Sequence, residues 1–112
     1  MRYSGVVQEG SKRARELGYP TINIVLDDTN VSGVYIALVR IGSEEYKAAA
    51  FADPKRKLLE AYLLDTSTDL YGREAEIELL KHVRDTEIFG DDELLKAAIE
   101  DDVKSVREYF HI

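Results

Sequence analysis

The 112-residue chain contains no cysteine. Disulfides and thiolate metal sites are therefore excluded, and with only His82 and His111 a zinc site lacks ligands. Any metal here is expected to be a hard cation held by oxygens. No segment approaches the roughly 20 apolar residues of a membrane span, and Arg2 and Ser4 interrupt any leader-like apolar run, so a cytoplasmic protein is expected. Positive charge is also in short supply, at 15 Lys and Arg against 22 Asp and Glu and a formal net charge of −7. That balance disfavours nucleic acid and anionic membranes as partners. Internal repeats, low-complexity segments and linkers are absent too. What remains is an ordinary globular composition, 45% hydrophobic and 33% charged, of a length that suits a single domain over 1–112. Six of the scarce bases fall in two clusters, Lys12, Arg13 and Arg15, and Lys55, Arg56 and Lys57, whereas the last 29 residues carry nine acids against four bases. Two basic loops on an acidic chain suit a polyphosphate ligand, or are simply solvated.

Within 3–83 the pattern is that of strands. Residues 3–8 are β-branched and aromatic, 21–26 follow a stiff Pro20 entry, and 34–41 form a nearly continuous apolar run expected to be a central strand buried on both sides. Gly42 to Glu45 makes a hairpin turn into a strand at 46–50, and 51–57 reads as a loop marked by Asp53-Pro54 and the basic triplet. A fifth strand covers 58–64. From Glu74, Ala75, Ile77 and Leu79 alternate with Glu76 and Glu78, a half-wet sixth strand. One helical turn is expected near 13–16. After Val83 the period becomes helical. Leu94, Leu95, Ala98, Ile99, Val103, Val106 and Phe110 form a stripe opposite Lys96, Glu100, Asp101 and Lys104, predicting a helix over about 91–109 with Asp91, Asp92 and Glu93 at its positive end. The expected fold is mainly β: a six-stranded antiparallel closed barrel of Greek-key type with a C-terminal amphipathic helix.

Two places break the apolar pattern. Thr21 and Asn23 put two oxygen-bearing side chains on one face of a strand whose Ile22, Ile24 and Leu26 point into a core. They read either as oxygen ligands for magnesium or as ordinary residues on a solvated face. Glu60 lies in Leu58-Leu59-Glu60-Ala61-Tyr62-Leu63-Leu64, where a carboxylate needs a reason. It is a general base tuned by its surroundings, a rim glutamate in water, or the partner of an arginine such as Arg84.

Leu17-Gly18-Tyr19-Pro20-Thr21-Ile22-Asn23 closely resembles the Leu-Gly-Phe-Pro-Thr-Ala-Asn signature of the riboflavin kinase (flavokinase) family. Further matches keep the family's order: Gly33-Val34-Tyr35; Glu60 followed by Asp69-Leu70-Tyr71-Gly72; and Arg84 to Phe89 followed by Leu94 to Ile99 and Asp102. The resemblance implies phosphorylation of riboflavin to FMN by ATP, with Mg or another divalent cation. It assigns Thr21 and Asn23 to metal and phosphate, Glu60 to deprotonation of the ribityl 5′-hydroxyl, Gly10, Lys12, Arg13, Arg15 and Pro20 to the nucleotide, and Arg84, Glu87 and Phe89 to the flavin. A monomer is expected. Many bacterial members carry a fused adenylyltransferase domain, for which 112 residues leave no room, so the expected product is FMN. Two departures stand out. The family's Gly-x-Gly-Arg-Gly-Arg loop reads Gly10-Ser11-Lys12-Arg13-Ala14-Arg15, without two of its glycines, and the Asn-x-Gly-x-x-Pro-Thr-like loop after the fourth strand is reduced to 51–57. They support the alternative of a non-catalytic flavin- or nucleotide-binding module on the same barrel.

Overall fold

A computed structural model describes residues 1–9, 12–66 and 69–112, and of Lys12 the backbone only. The strands are β1 (Arg2–Val6), β2 (Gln8–Glu9), β3 (Ile22–Val25), β4 (Gly33–Ile41), β5 (Glu44–Asp53), β6 (Leu58–Leu63) and β7 (Glu74–Arg84), and the helices are α1 (Lys12–Glu16) and α2 (Asp92–Phe110). One antiparallel sheet runs in the order β1-β7-β4-β5-β6-β3-β2. The stretch β7-β4-β5-β6 is a Greek key, with three hairpin-linked strands and a fourth that returns beside the first. β1 and β2 are successive halves of one N-terminal segment, yet they lie at opposite ends of the sheet order, so the sheet curls into a near-closed barrel. The expected six strands become seven because the chain switches partners at Val7. Its N–H donates to the Arg73 carbonyl (2.8 Å) and its carbonyl accepts from Gly72 (2.9 Å), in place of a ladder partner.

Small and large residues share the barrel interior. Ala37, Ala48, Ala50 and Ala52 pack with Ile24, Val39, Leu59 and Ile77, all essentially inaccessible to water. Each fully buried Ile or Leu stabilises the fold by about 1.5–3 kcal/mol of transfer free energy. β4 is buried on both sides as expected: Ala37, Val39 and Ile41 face the interior, while Ile36 joins Val106 of α2 in a second apolar cluster on the outside. α2 begins with Asp91 as N-cap, whose carboxylate accepts from the Glu93 N–H (2.7 Å).

The segment 51–57 is not a loop throughout. Phe51, Ala52 and Asp53 continue β5 and pair with Glu60, Leu59 and Leu58, leaving a short turn over Pro54 to Lys57 in which Asp53 accepts from the Arg56 N–H (3.2 Å). Leu94 also leaves the expected stripe: it is 60% exposed, and the packed face of α2 instead includes buried Asp102. No helix among the described residues is long and apolar enough to cross a membrane.

Candidate active site

Side chains that pair across antiparallel strands share a face, and here the register draws a line across the outside of the barrel. Gln8 pairs with Asn23, Asn23 with Glu60, Glu60 with Phe51, Phe51 with Val34, and Val34 with Arg84. Asn23 and Glu60 are directly opposite, which puts their Cβ atoms about 5 Å apart. Glu60 therefore does not face the core. It is half-buried on the outer face, while its neighbours Leu59 and Ala61 point inward.

Over this line lies a cleft of about 160 Å³. Its floor is Val34, Phe51, Glu60 and Tyr62 of the sheet; one wall is Leu95, Ile99 and Asp102 of α2. Thr21 and Tyr19, which follow α1, and Arg84, Glu87 and Phe89, at the end of β7 and beyond it, complete its lining. A second depression, lined by Arg15, Pro20, Asp69 and Tyr71, lies on the far side of Thr21, which borders both. The structure thus brings Thr21, Glu60, Arg84, Glu87 and Phe89 to one cavity, and Arg15 and Pro20 to its neighbour. Gly10 lies outside the described residues.

Asn23 is buried, so the solvated-face reading of this residue does not hold. With its amide nitrogen turned to the available acceptors, Nδ2 donates to the carbonyls of Gln8 (3.0 Å) and Glu9 (3.1 Å). These bonds fix the side chain and leave Oδ1 on the opposite side of the amide. Pro20 precedes the strand, and its locked φ aims Thr21 consistently.

Three arginines around the site, Arg13, Arg15 and Arg84, are held by the protein's own acids. Arg13 Nε donates to Asp92 (2.7 Å) and Nη1 to the Phe89 carbonyl (3.0 Å), tying α1 to the 85–91 segment and to the start of α2. Arg15 pairs with Glu9 and donates to the Tyr71 hydroxyl, its guanidinium 5.8 Å from that ring's centre. Arg84 does not pair with Glu60. It makes a two-pronged ion pair with Asp102, with Nε and Nη2 each 2.8 Å from a carboxylate oxygen, and its guanidinium lies 5.7 Å from the Phe89 ring centre. The hydrogen bonds to Asp102 raise the Arg84 pKa further above its ordinary value, so it is a permanent cation in the cleft.

Asp102 and Tyr19 are cleft residues that the sequence patterns did not single out for chemistry. Asp102 had a signal, a lone carboxylate between Ile99 and Val106 on an apolar stripe. Tyr19 packs edge-on against Tyr62 (5.2 Å between centres); burial, and then the Glu100 carboxylate it bonds, push its hydroxyl pKa up. Among the described residues no three His, Asp or Glu side chains converge as a metal cage.

The family model described as Flavokinase: Riboflavin kinase matches residues 1–110. A bifunctional riboflavin kinase/FMN adenylyltransferase from Buchnera aphidicola is 36% identical over 97% of this chain, which spans 38% of that protein's length. Among solved structures, riboflavin kinase from Trypanosoma brucei matches with a TM-score of 0.67 and 26% identity, covering 98% of this chain and 79% of that one. A Streptococcus pneumoniae structure described as a macrolide-efflux protein matches with a TM-score of 0.80 and 28% identity, over 95% of this chain and 38% of that one. The chain therefore belongs to the riboflavin kinase family.

Proposed function

We propose that this chain transfers the γ-phosphoryl group of ATP to the ribityl 5′-hydroxyl of riboflavin, yielding FMN and ADP. The observation that carries this reading is that Thr21 and Glu60 share one cleft with Arg84, Glu87 and Phe89, while Thr21 also borders the depression of Arg15 and Pro20. An acceptor side and a donor side then meet at Thr21. Phosphoryl transfer asks little else of a protein: positioned phosphates, charge neutralisation and an oriented nucleophile.

Glu60 is the general base. Its carboxylate accepts the 5′-hydroxyl proton as the oxygen–phosphorus bond forms and the bond to ADP breaks. Asn23 pairs with Glu60 in the ladder and lines neither depression; with its nitrogen committed to Gln8 and Glu9, Oδ1 is the atom it has left to offer a ligand. The Thr21 hydroxyl and the Asn23 amide are neutral oxygen donors, a set that fits magnesium, which keeps several waters and completes its shell from substrate phosphates. When bound there, the cation neutralises charge on the transferring phosphoryl group. Gly10, Lys12, Arg13 and Arg15 serve the nucleotide, and Pro20 fixes the approach to it. On the flavin side, Phe89 offers a stacking face, Glu87 a hydrogen-bond acceptor and Arg84 a fixed cation against the apolar wall.

A second reading, a flavin- or nucleotide-binding module without turnover, draws on Arg13 and Arg15 being held by Asp92, Glu9 and Tyr71 rather than presented to a ligand. Incubation of the purified chain with riboflavin and MgATP separates the two. FMN on chromatography is the expected result; bound riboflavin with no FMN under any nucleotide would favour the module.

A further inference from the structure

The charge of Glu9 has no task so far beyond occupying Arg15. The backbone of Glu9 belongs to β2 and is fixed twice: it pairs with Ile22 in the ladder, and its carbonyl accepts from Asn23 Nδ2 (3.1 Å). Its carboxylate pairs with Nη1 of Arg15. The other terminal nitrogen of Arg15 donates to the Tyr71 hydroxyl, and the guanidinium lies 5.8 Å from the Tyr71 ring centre. Tyr71 is fixed in turn by its own N–H, which donates to Asp69 (3.0 Å). Arg15, Asp69 and Tyr71 line the depression that Thr21 borders. Glu9 is not part of that lining and meets the depression through Arg15.

We infer that Glu9 is a resident counter-ion for Arg15, a positioning residue that a polyphosphate must displace, so that Glu9 sets how tightly the depression holds a nucleotide. The inference rests on the nucleotide role proposed for that depression. A phosphate oxygen and the Glu9 carboxylate compete for one guanidinium charge. While Glu9 holds Arg15 the pair is neutral, and an incoming phosphate gains little net attraction from it until the pair parts. The Tyr71 hydroxyl and ring are neutral, so they keep Arg15 at the depression without competing for its charge. Parting is easy, because both side chains are exposed, at 43% and 55%, and such a pair is weak and screened by salt.

The test is calorimetric binding of MgADP to the full chain at low and high salt, without riboflavin, alongside the KM for ATP in FMN formation. Glu9→Gln removes the charge but keeps the length of the side chain and the backbone carbonyl that Asn23 uses. It is compared with Glu16→Gln, which removes an exposed acid next to Arg15 in sequence that Arg15 does not pair with. Glu9→Gln is expected to bind MgADP about 2–5-fold more tightly than wild type at low salt, with the difference closing at high salt. The KM for ATP should fall by the same factor, while the KM for riboflavin should not. An affinity equal to that of Glu16→Gln would overturn the counter-ion role. Weaker binding would overturn it too, since Glu9 would then orient Arg15 for the nucleotide instead of competing with it. If MgADP binds as expected but no FMN forms, the proposed reaction fails while the counter-ion stands. If wild type binds no MgADP at either salt, the counter-ion role fails, and FMN formation then decides whether the reaction fails with it.

Discussion

Glu60 and Asn23 owe their places to strand parity: each is the polar exception in a strand whose other face fills the barrel. The apolar letters around Glu60 left base, rim glutamate and arginine partner all open, because a sequence does not show which alternate residues meet a cleft instead of a core. Asp102 is the opposite case, a charge placed inside a packed face because Arg84 reaches it from β7. Asp102→Asn leaves the Arg84 guanidinium half-buried without its ionic partner, and should cost about 1–3 kcal/mol in denaturant unfolding. It should also weaken riboflavin binding, since Arg84 positions Phe89. Tyr3 gives a pH signature. Burial first, and then its 2.8 Å bond to Asp28, push its hydroxyl up to about 12. The unfolded chain releases that proton near pH 10, the folded chain near 12, so this contribution is complete below pH ~10 and is lost as pH rises to ~12. Melting temperatures of wild type should fall more steeply over that window than those of Tyr3→Phe.

At the scale of elements, the helix and most strands were legible because period and burial coincide in them. β7 alternates as Ala75, Ile77 and Leu79 predict, and α2 starts at its acid-rich cap. The failures have physical causes. Phe51, Ala52 and Asp53 run weakly patterned into a proline and look like a loop, yet cross-strand pairing with β6 extends the strand through them. The partner switch at Val7 depends on Gly72 and Arg73, far away in sequence. Gly33, which opens β4, has φ +99, and a Cβ there would lie 2.6 Å from the Arg84 carbonyl oxygen and 2.7 Å from His82 Nε2. Gly33→Ala must therefore push β4 and the end of β7 apart. We expect a loss of about 2–4 kcal/mol in thermal or denaturant unfolding and weakened riboflavin binding, because Arg84 moves with β7.

Across the whole molecule, the ordered series of short motifs pointed to the barrel and its family, while the wiring of its charges was hidden. Arg13 and Arg15 read as free nucleotide contacts, but their partners Asp92 and Tyr71 lie 79 and 56 residues away, and no local pattern reports such pairs. The start of the acidic C-terminal helix and the basic N-terminal segment meet directly, at Arg13 and Asp92. The central claim is that Glu60 takes the 5′-hydroxyl proton. Its most direct test is FMN formation by Glu60→Gln under saturating riboflavin and MgATP, with riboflavin affinity measured alongside. The amide keeps size and position but cannot accept the proton, so kcat should fall about 10²–10⁴-fold with riboflavin affinity nearly unchanged. FMN formation at the wild-type rate would contradict the account.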